Sequence, residues 1–362
     1  MIPPPVVTCT VVTRSHFGYA RAMARSLRRF NPGARSYVLI LDCPRHEREA
    51  GMDEVIPVFL EDLGIPDLAA FCFQYSAFEL CNALKSWLVR HVLRERGEPA
   101  ALYLDGDIGV FASLEPLWNA VLAHEVLLTP HTTAPFPQDG KFPGTSNILC
   151  AGSYNAGVLG VRADGDGLRF LDWWAQCVRH DCITDHSIGL EVDQKFLELV
   201  PSLFPGHRVF RHDGVNVAHF NLHHRRLRLE SGRWWCNEDP LLLFHFTQIS
   251  LPGGVFFPLI TRDFSSQSAE LRQLATAYHG ELTSDEWLAH SQRPYGFRAF
   301  ESGRPISRET RVEFRRRWKS GEAPGNSNPF ADPEWESFER GLRWRALPGR
   351  ILGFLGRRLG RV

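Results

Sequence analysis

The sequence predicts an α/β fold in which a mainly parallel central sheet carries helices on both faces, followed by a mostly helical C-terminal extension. Short β-branched, apolar runs alternate with segments whose apolar residues recur at helical spacing, the pattern of parallel strands joined by crossover helices. The 362 residues suffice for one large domain or two modest ones with a sizeable core. Asp42 and the pair Asp105 and Asp107 fall where apolar runs stop, and in such sheets ligands collect beyond the carboxyl ends of strands.

Val6 to Val12 reads as the first strand. Phe17 to Phe30 follows at helical spacing and is stopped by Asn31-Pro32-Gly33. Tyr37 to Leu41 is a second strand. Val55 to Phe59 is a third, which Pro57 assigns to an edge or a bulge. Leu68 to Arg96 is mostly helical with one polar face, and Ala101 to Leu104 is a fourth strand leading into the aspartates. Glu125 to Thr129 and Val158 to Val161 are further strands. Between them, the loop from Pro130 to Gly144 reads as a flexible wall over a site. Helices are expected over Gly167 to Cys182 and Val192 to Leu199, and Leu241 to Phe246 forms a last apolar strand. Composition shifts near Ser250 toward arginine and fewer strand-like runs, which divides the chain into residues 1–250 and 251–362.

Lys and Arg balance Asp and Glu at 41 each, so composition makes no case for a nucleic-acid partner. The eight cysteines are scattered without a C-x-x-C pair, which reads as reduced, buried thiols. The opening MIPPPVVTCTVV lacks a basic n-region, and no run approaches the roughly 18 apolar residues of a spanning helix. The expected location is cytoplasmic. From Arg340 onward seven arginines and no acidic residue alternate with Leu, Ile, Phe and Trp. That pattern suits peripheral contact of residues 340–362 with an anionic membrane surface at the inner face of the cell membrane, a docked terminal helix and a solvated tail being the alternatives.

In "ALYLDGDIGVF" two carboxylates stand one residue apart at a strand end. Like charges so close repel unless a cation or donor groups satisfy them. Two readings stay open: a turn in which Asp-Gly-Asp caps its own backbone, or a divalent-cation site that also holds a diphosphate. His245, inside the apolar "LLLFHFT", is either a core histidine or a third ligand. In "FLDWWAQCV" helical spacing turns at least one of Trp173 and Trp174 into the core, whereas Trp234-Trp235 follow a glycine-bearing loop and are candidates for an acceptor site. The histidines and arginines of "HFNLHHRR" lack acidic partners and fit a phosphate or sugar surface better than zinc.

From about Val6 to Gln248 the chain resembles the GT-A nucleotide-sugar glycosyltransferases, especially glycosyltransferase family 8 and related bacterial polysaccharide-cluster enzymes. The resemblance rests on an ordered series: "LCNALKSWLV", "ALYLDGDIGVF", "LLTPH", "SYNAGVLGVR", "VDQKFLELVP", "GVNVAHFNL" and "LLLFHFT". It implies a Rossmann-like GT-A catalytic domain over 1–250, with 251–362 on the acceptor side. It further implies that Asp105, Asp107 and His245 hold Mn²⁺ or Mg²⁺, which bridges the diphosphate of a nucleotide-sugar co-substrate, UDP-hexose foremost. Lys85 would neutralise phosphate or touch the donor sugar, and Thr10 and Thr13 would lie on the nucleotide side. Asn155, Asp193 and Gln194 would form the catalytic group around the donor sugar. The implied reaction is hexosyl transfer to a glycan or lipid-linked acceptor in bacterial surface polysaccharide synthesis, with retention of configuration.

Two departures from the family pattern stand out. Thr13 and Arg14 occupy the place of an acidic nucleotide contact, and "HFTQISLPGG" lacks the lysine that grips phosphate in the family. A metal-dependent phosphohydrolase is an alternative from the same D-x-D, although Ile108-Gly109-Val110 lacks the threonine such sites use. A catalytically inactive sugar-nucleotide-fold scaffold is another.

Overall fold

The structure is a computed structural model that describes residues 4–251, 253–282, 289–323 and 327–342. It divides into two compact units, one formed by 1–64 and 81–294, the other by 65–80 and the chain from 295 onward.

In the first unit β1 (Val7–Val12) is buried along its whole length, as expected of a β-branched run covered on both faces. Helix α1 (Phe17–Phe30) buries Phe17, Ala20, Ala24 and Leu27 on one stripe and keeps Arg28 and Arg29 in its last turn, where cations complement the helix dipole. Asn31 ends it: the Asn31 backbone N–H and Nδ2 both donate to the Leu27 carbonyl, at 2.8 and 3.1 Å. Strands β2 (Arg35–Ile40) and β3 (Ile56–Val58) follow. The stretch expected to be mostly helical from Leu68 to Arg96 is three helices, α2 (Leu68–Phe73), α3 (Ala77–Ala83) and α4 (Lys85–Arg94), and the division between the units falls inside it.

The chain continues through β4 (Ala100–Leu104), β5 (Ile108–Val110), α5 (Glu115–Ala123), β6 (Val126–Pro130), α6 (Thr145–Ala151), β7 (Tyr154–Arg162) and α7 (Gly165–Asp181). A hairpin of β8 (Thr184–Asp185) and β9 (Leu190–Glu191) precedes β10 (His207–Val209). Seven strands form the central sheet in the order β10-β6-β7-β4-β1-β2-β3. Neighbours run parallel except at β7, which is antiparallel to both β4 and β6. The sheet is thus mainly parallel, as the alternation of elements predicts, and Pro57 lies in the edge strand β3.

Three features go beyond the sequence pattern. The apolar run Leu241 to Phe246 does hold a strand, but outside the central sheet. After β11 (Leu227–Glu230), β12 (Arg233–Cys236) and β13 (Asp239–Pro240), it supplies β14 (Leu243–His245), whose partner is β5. The loop from Pro130 to Gly144 is pinned rather than free: the Arg262 guanidinium reaches both oxygens of Asp139 at 3.0 and 3.2 Å and lies 5.2 Å from the Phe136 ring centre. Phe136 stacks on His223 at 4.0 Å. The first unit also runs past Ser250, because helix Ser268–Leu282 buries Leu271, Leu274, Ala275 and Tyr278 in one cluster with Val217, Phe244 and Phe246.

The second unit closes around Phe73. Its ring meets Phe314 at 4.8 Å, Phe330 at 5.0 Å and Phe300 at 5.8 Å. Arg311, from helix Arg308–Lys319, donates to the carbonyls of Phe73 and Tyr75 at 2.6 and 2.8 Å, which ties 65–80 to the C-terminal part of the chain. Among the described residues no helix is long and apolar enough to cross a membrane. Residues 343–362, most of the arginine-rich segment, lie outside them. The eight cysteines are free thiols, five of them buried and Cys150 exposed.

Candidate active site

Asp105 follows β4 and Asp107 precedes β5. The Ile108 N–H donates to the Asp105 carbonyl at 3.1 Å, so the turn reading of Asp-Gly-Asp holds for the backbone. The side chains do something else. Antiparallel pairing of β5 with β14 sets His245 opposite Ile108, and the Phe246 N–H donates to the Asp107 carbonyl at 3.0 Å. One ligand atom from each of Asp105, Asp107 and His245 then lies within 4.8 Å of the others. His245 Nε2 is 3.1 Å from Asp107 Oδ1 and 3.9 Å from Asp105 Oδ2.

Lys85 opens α4, where a cation opposes the helix dipole and needs carboxylates to hold it. Its Nζ stands 3.2 Å from Asp105 Oδ1 and 3.5 Å from Asp193 Oδ2. The side chains of Asp105 and Asp107 keep 28% and 36% of their surface accessible, against 4% for Lys85, 1% for Asp193 and 6% for His245. The aspartates therefore face outward, backed by buried charge.

β7 forms the rest of the wall. The Asp105 N–H donates to the Gly157 carbonyl at 2.9 Å, which lays Asn155-Ala156-Gly157 beside the aspartates. A Cβ at Gly157 would stand 2.5 Å from Asp105 Oδ2 and 2.9 Å from His245 Cε1, so only glycine leaves room there. Asn155 Nδ2 donates to Gln194 Oε1 at 2.9 Å, and Gln194 Nε2 to the Ala151 carbonyl at 2.9 Å. Asp193 follows Val192, a β-branched residue held at φ +38°, a strained conformation of the kind that gathers at functional sites.

The electrostatics follow from this packing. Burial alone would raise the Asp107 carboxyl, but the charge and hydrogen bond of His245 hold it below its ordinary value. Burial alone would lower His245, and Asp107 foremost raises it instead. Lys85 is raised by Asp105 and Asp193 against the effect of burial. Asp193, met by the Lys85 ammonium at 3.5 Å, is pushed up to about 6 by burial foremost, Lys85 opposing and Asp105 assisting.

The remaining predicted residues divide. Thr10 is fully buried and its hydroxyl donates to the Leu104 carbonyl at 3.0 Å, so it is engaged inside the sheet. Thr13 Oγ1 is 2.9 Å from Ser15 Oγ and from His16 Nδ1. Arg14 turns its guanidinium to Glu47 and Glu49, and its N–H donates to Asp42 Oδ1 at 2.7 Å. Trp174 is core, donating to the Asp193 carbonyl at 3.0 Å. Trp234 packs against the apolar cluster around Phe244. In "HFNLHHRR", Arg225 is buried and donates to the carbonyls of Val215 and His212 at 2.8 and 3.3 Å, a structural use. The sequence pattern does not single out Asn216, whose Oδ1 is 3.2 Å from His245 Nδ1, His131, whose Nε2 is 3.2 Å from Asn155 Nδ2, or Gly157. An asparagine inside the apolar "GVNVAHF" was the available signal.

No protein-family model matches the chain. It is 24% identical over 244 residues to the uncharacterized protein YfnF of Bacillus subtilis strain 168, an alignment covering 66% of this chain and 80% of the relative. It is also 24% identical over 251 residues to YfnD of the same organism, covering 67% and 77%. Glycosyltransferases are among the solved structures it is similar to. Galactosyltransferase LgtC, in complex with donor and acceptor sugar analogs, is 17% identical with a TM-score of 0.44, over 79% of this chain and 100% of that one. Glycosyltransferase GlyE of Streptococcus pneumoniae TIGR4 in its apo form is 14% identical with a TM-score of 0.43, over 83% and 67%. Mouse xyloside xylosyltransferase 1 is 13% identical with a TM-score of 0.38, over 67% and 97%.

Proposed function

We propose that this chain is a metal-dependent glycosyltransferase that moves a hexose from a nucleotide-diphosphate sugar, UDP-hexose foremost, to a glycan or lipid-linked acceptor, with retention of configuration, in bacterial surface polysaccharide synthesis. The observation that carries the reading is the convergence of Asp105, Asp107 and His245 at the carboxyl end of the sheet, open toward the outside and closed behind by Gly157 and Lys85. Two carboxylates and an imidazole suit Mn²⁺ well and Mg²⁺ through the carboxylates. A cation held there would offset the charge that builds on a departing diphosphate.

The chain's own groups divide the remaining work. Lys85 holds Asp105 and Asp193 apart and in place. Asp193 offers a buried carboxylate, charged above about pH 6, to positive charge developing on a sugar. The Gln194 carbonyl oxygen accepts from Asn155 Nδ2 and from the Ala156 N–H at 2.9 and 3.3 Å, and Nε2 gives one hydrogen to the Ala151 carbonyl at 2.9 Å, so the second Nε2 hydrogen is the group that would meet a ligand. Thr13, at the end of β1, stands on the nucleotide side. The chain beyond 250 would serve the acceptor, and the arginines of 340–362 would bring the enzyme to an anionic surface that carries a lipid-linked one.

A thermal-shift screen of nucleotide sugars with and without Mn²⁺ tests this. Stabilisation by one donor only when metal is present is the expected result, because a ligand of the native state raises its stability. Failure of every donor to shift the melt in the presence of Mn²⁺ would overturn the transferase reading.

A further inference from the structure

Behind the metal ligands runs a chain of amides from Gln194 to His245, and its polarity is fixed by two backbone groups. The Gly157 N–H, which can only donate, meets Asn155 Oδ1 at 3.1 Å. The Ala156 N–H likewise meets Gln194 Oε1 at 3.3 Å, and the same oxygen accepts from Asn155 Nδ2 at 2.9 Å. With Asn155 Oδ1 an acceptor, Asn216 must present its Nδ2 there, at 3.1 Å. That leaves Asn216 Oδ1 facing His245 Nδ1 at 3.2 Å. An amide oxygen only accepts, so the hydrogen sits on His245 Nδ1. With Nδ1 protonated, Nε2 is the nitrogen left for a cation held by Asp107 and Asp105, which would replace the Nε2 proton that the charged ring shares with Asp107 Oδ1 at 3.1 Å.

We propose that Asn216 is the positioning residue of this site: it locks His245 in the Nδ1–H tautomer and aims Nε2 at the metal position. The inference rests on the metal reading above. Asn216 is fully buried and sits at φ +55°, a left-handed conformation that asparagine adopts more readily than other side chains and glycine more readily still. Asn221 fixes it there, donating from Nδ2 to the Asn216 carbonyl at 2.9 Å. A metal-bound histidine whose second nitrogen is fixed in this way keeps its tautomer and ring orientation, and losing the outer partner weakens metal binding by roughly ten- to a hundredfold.

The test uses full-length protein labelled with ¹⁵N-histidine, metal-free and at an alkaline pH where the ring is neutral, with the His245 signals assigned from a His245→Gln spectrum. Wild type is expected to give a protonated Nδ1 and an unprotonated Nε2. In Asn216→Gly, which relieves the backbone and removes the amide, the tautomers should mix and the Mn²⁺ dissociation constant measured by calorimetry should rise roughly ten- to a hundredfold. Asn216→Asp, which restores the acceptor for His245 Nδ1 but not the donor to Asn155 Oδ1, should bring back the Nδ1–H form and an affinity above that of the glycine variant. An Nε2–H tautomer in wild type overturns the inference without need of any variant. So does a glycine variant with the wild-type spectrum and wild-type Mn²⁺ affinity. Absence of Mn²⁺ binding by wild type would instead defeat the metal reading itself.

Discussion

His245 Nε2 stands 3.1 Å from Asp107 Oδ1, and the pairing of Leu243–His245 with Ile108–Val110 enforces that spacing from residues more than a hundred positions apart. Each of the three ligand groups is a short polar ending on an apolar strand. Asp105→Asn, Asp107→Asn and His245→Gln are therefore expected to leave the sheet intact while weakening Mn²⁺ binding by more than the roughly ten- to hundredfold of a lost outer partner. Calorimetric titration of Mn²⁺ measures the first effect and metal-free melting the second. Melting temperatures that collapse without metal would make these residues structural.

Lys85 carries a different burden. Its ammonium is buried between Asp105 and Asp193, and Lys85→Met leaves the buried Asp193 carboxylate uncompensated. Breaking one side of a buried pair typically destabilises by about 3–5 kcal/mol. The loss is expected to be larger at pH 8 than at pH 5, because Asp193, already pushed up to about 6 with Lys85 present, can take a proton at the lower pH. Urea denaturation at the two pH values checks this, and equal losses would remove Asp193 from the account.

Asp193 itself predicts a pH-dependent gain. Its carboxyl is raised to about 6, above the unfolded value near 3.9, so the folded state binds the proton more tightly than the unfolded one. The sign follows: the charged form costs nothing below about pH 4, the penalty grows as pH rises to about 6, and it is complete above that. Asp193→Asn should thus be more stable than wild type at pH 8, by up to about 3 kcal/mol for a shift of some two units, and no more stable at pH 4. On the proposed function the same variant should also lose transferase turnover, a gain in stability against a loss of function. Melting curves across pH 4–8 decide it; a variant less stable at pH 8 would mean that Lys85 outweighs burial.

Much of this arrangement was legible in the chain. Asp105 and Asp107 end an apolar run, and a β-strand must release its last residues beyond the sheet edge. Pro57 cannot donate to a ladder, and it lies in the edge strand. Other features depend on which surfaces meet. The stripe Leu271, Leu274, Tyr278 does not say against what its helix packs, and the composition shift near Ser250 does not reveal that the first unit ends at 294. Arg262 pins the loop at Asp139 across more than a hundred residues, which no local pattern announces. The amides of Asn155, Asn216 and Gln194 form one chain only because β7, the segment between β10 and β11 and the turn after β9 converge.

Gly157 gives the sharpest separation of fold from function. It lies inside β7, paired with β4, where glycine has no conformational advantage and a β-branched residue would suit the strand better. Its retention there has a steric cause: a Cβ would stand 2.5 Å from Asp105 Oδ2, 2.7 Å from Asn155 Oδ1 and 2.9 Å from His245 Cε1. Those atoms are the tips of side chains, so Gly157→Ala can fold by pushing them aside. The expected outcome is a melting temperature near that of wild type without metal, together with loss of the Mn²⁺-dependent part of the thermal shift. His245 should respond as well, its ¹⁵N signals moving as the ring is displaced. An alanine variant that keeps full Mn²⁺ affinity would mean that the aspartates do not bind the cation from the side Gly157 closes.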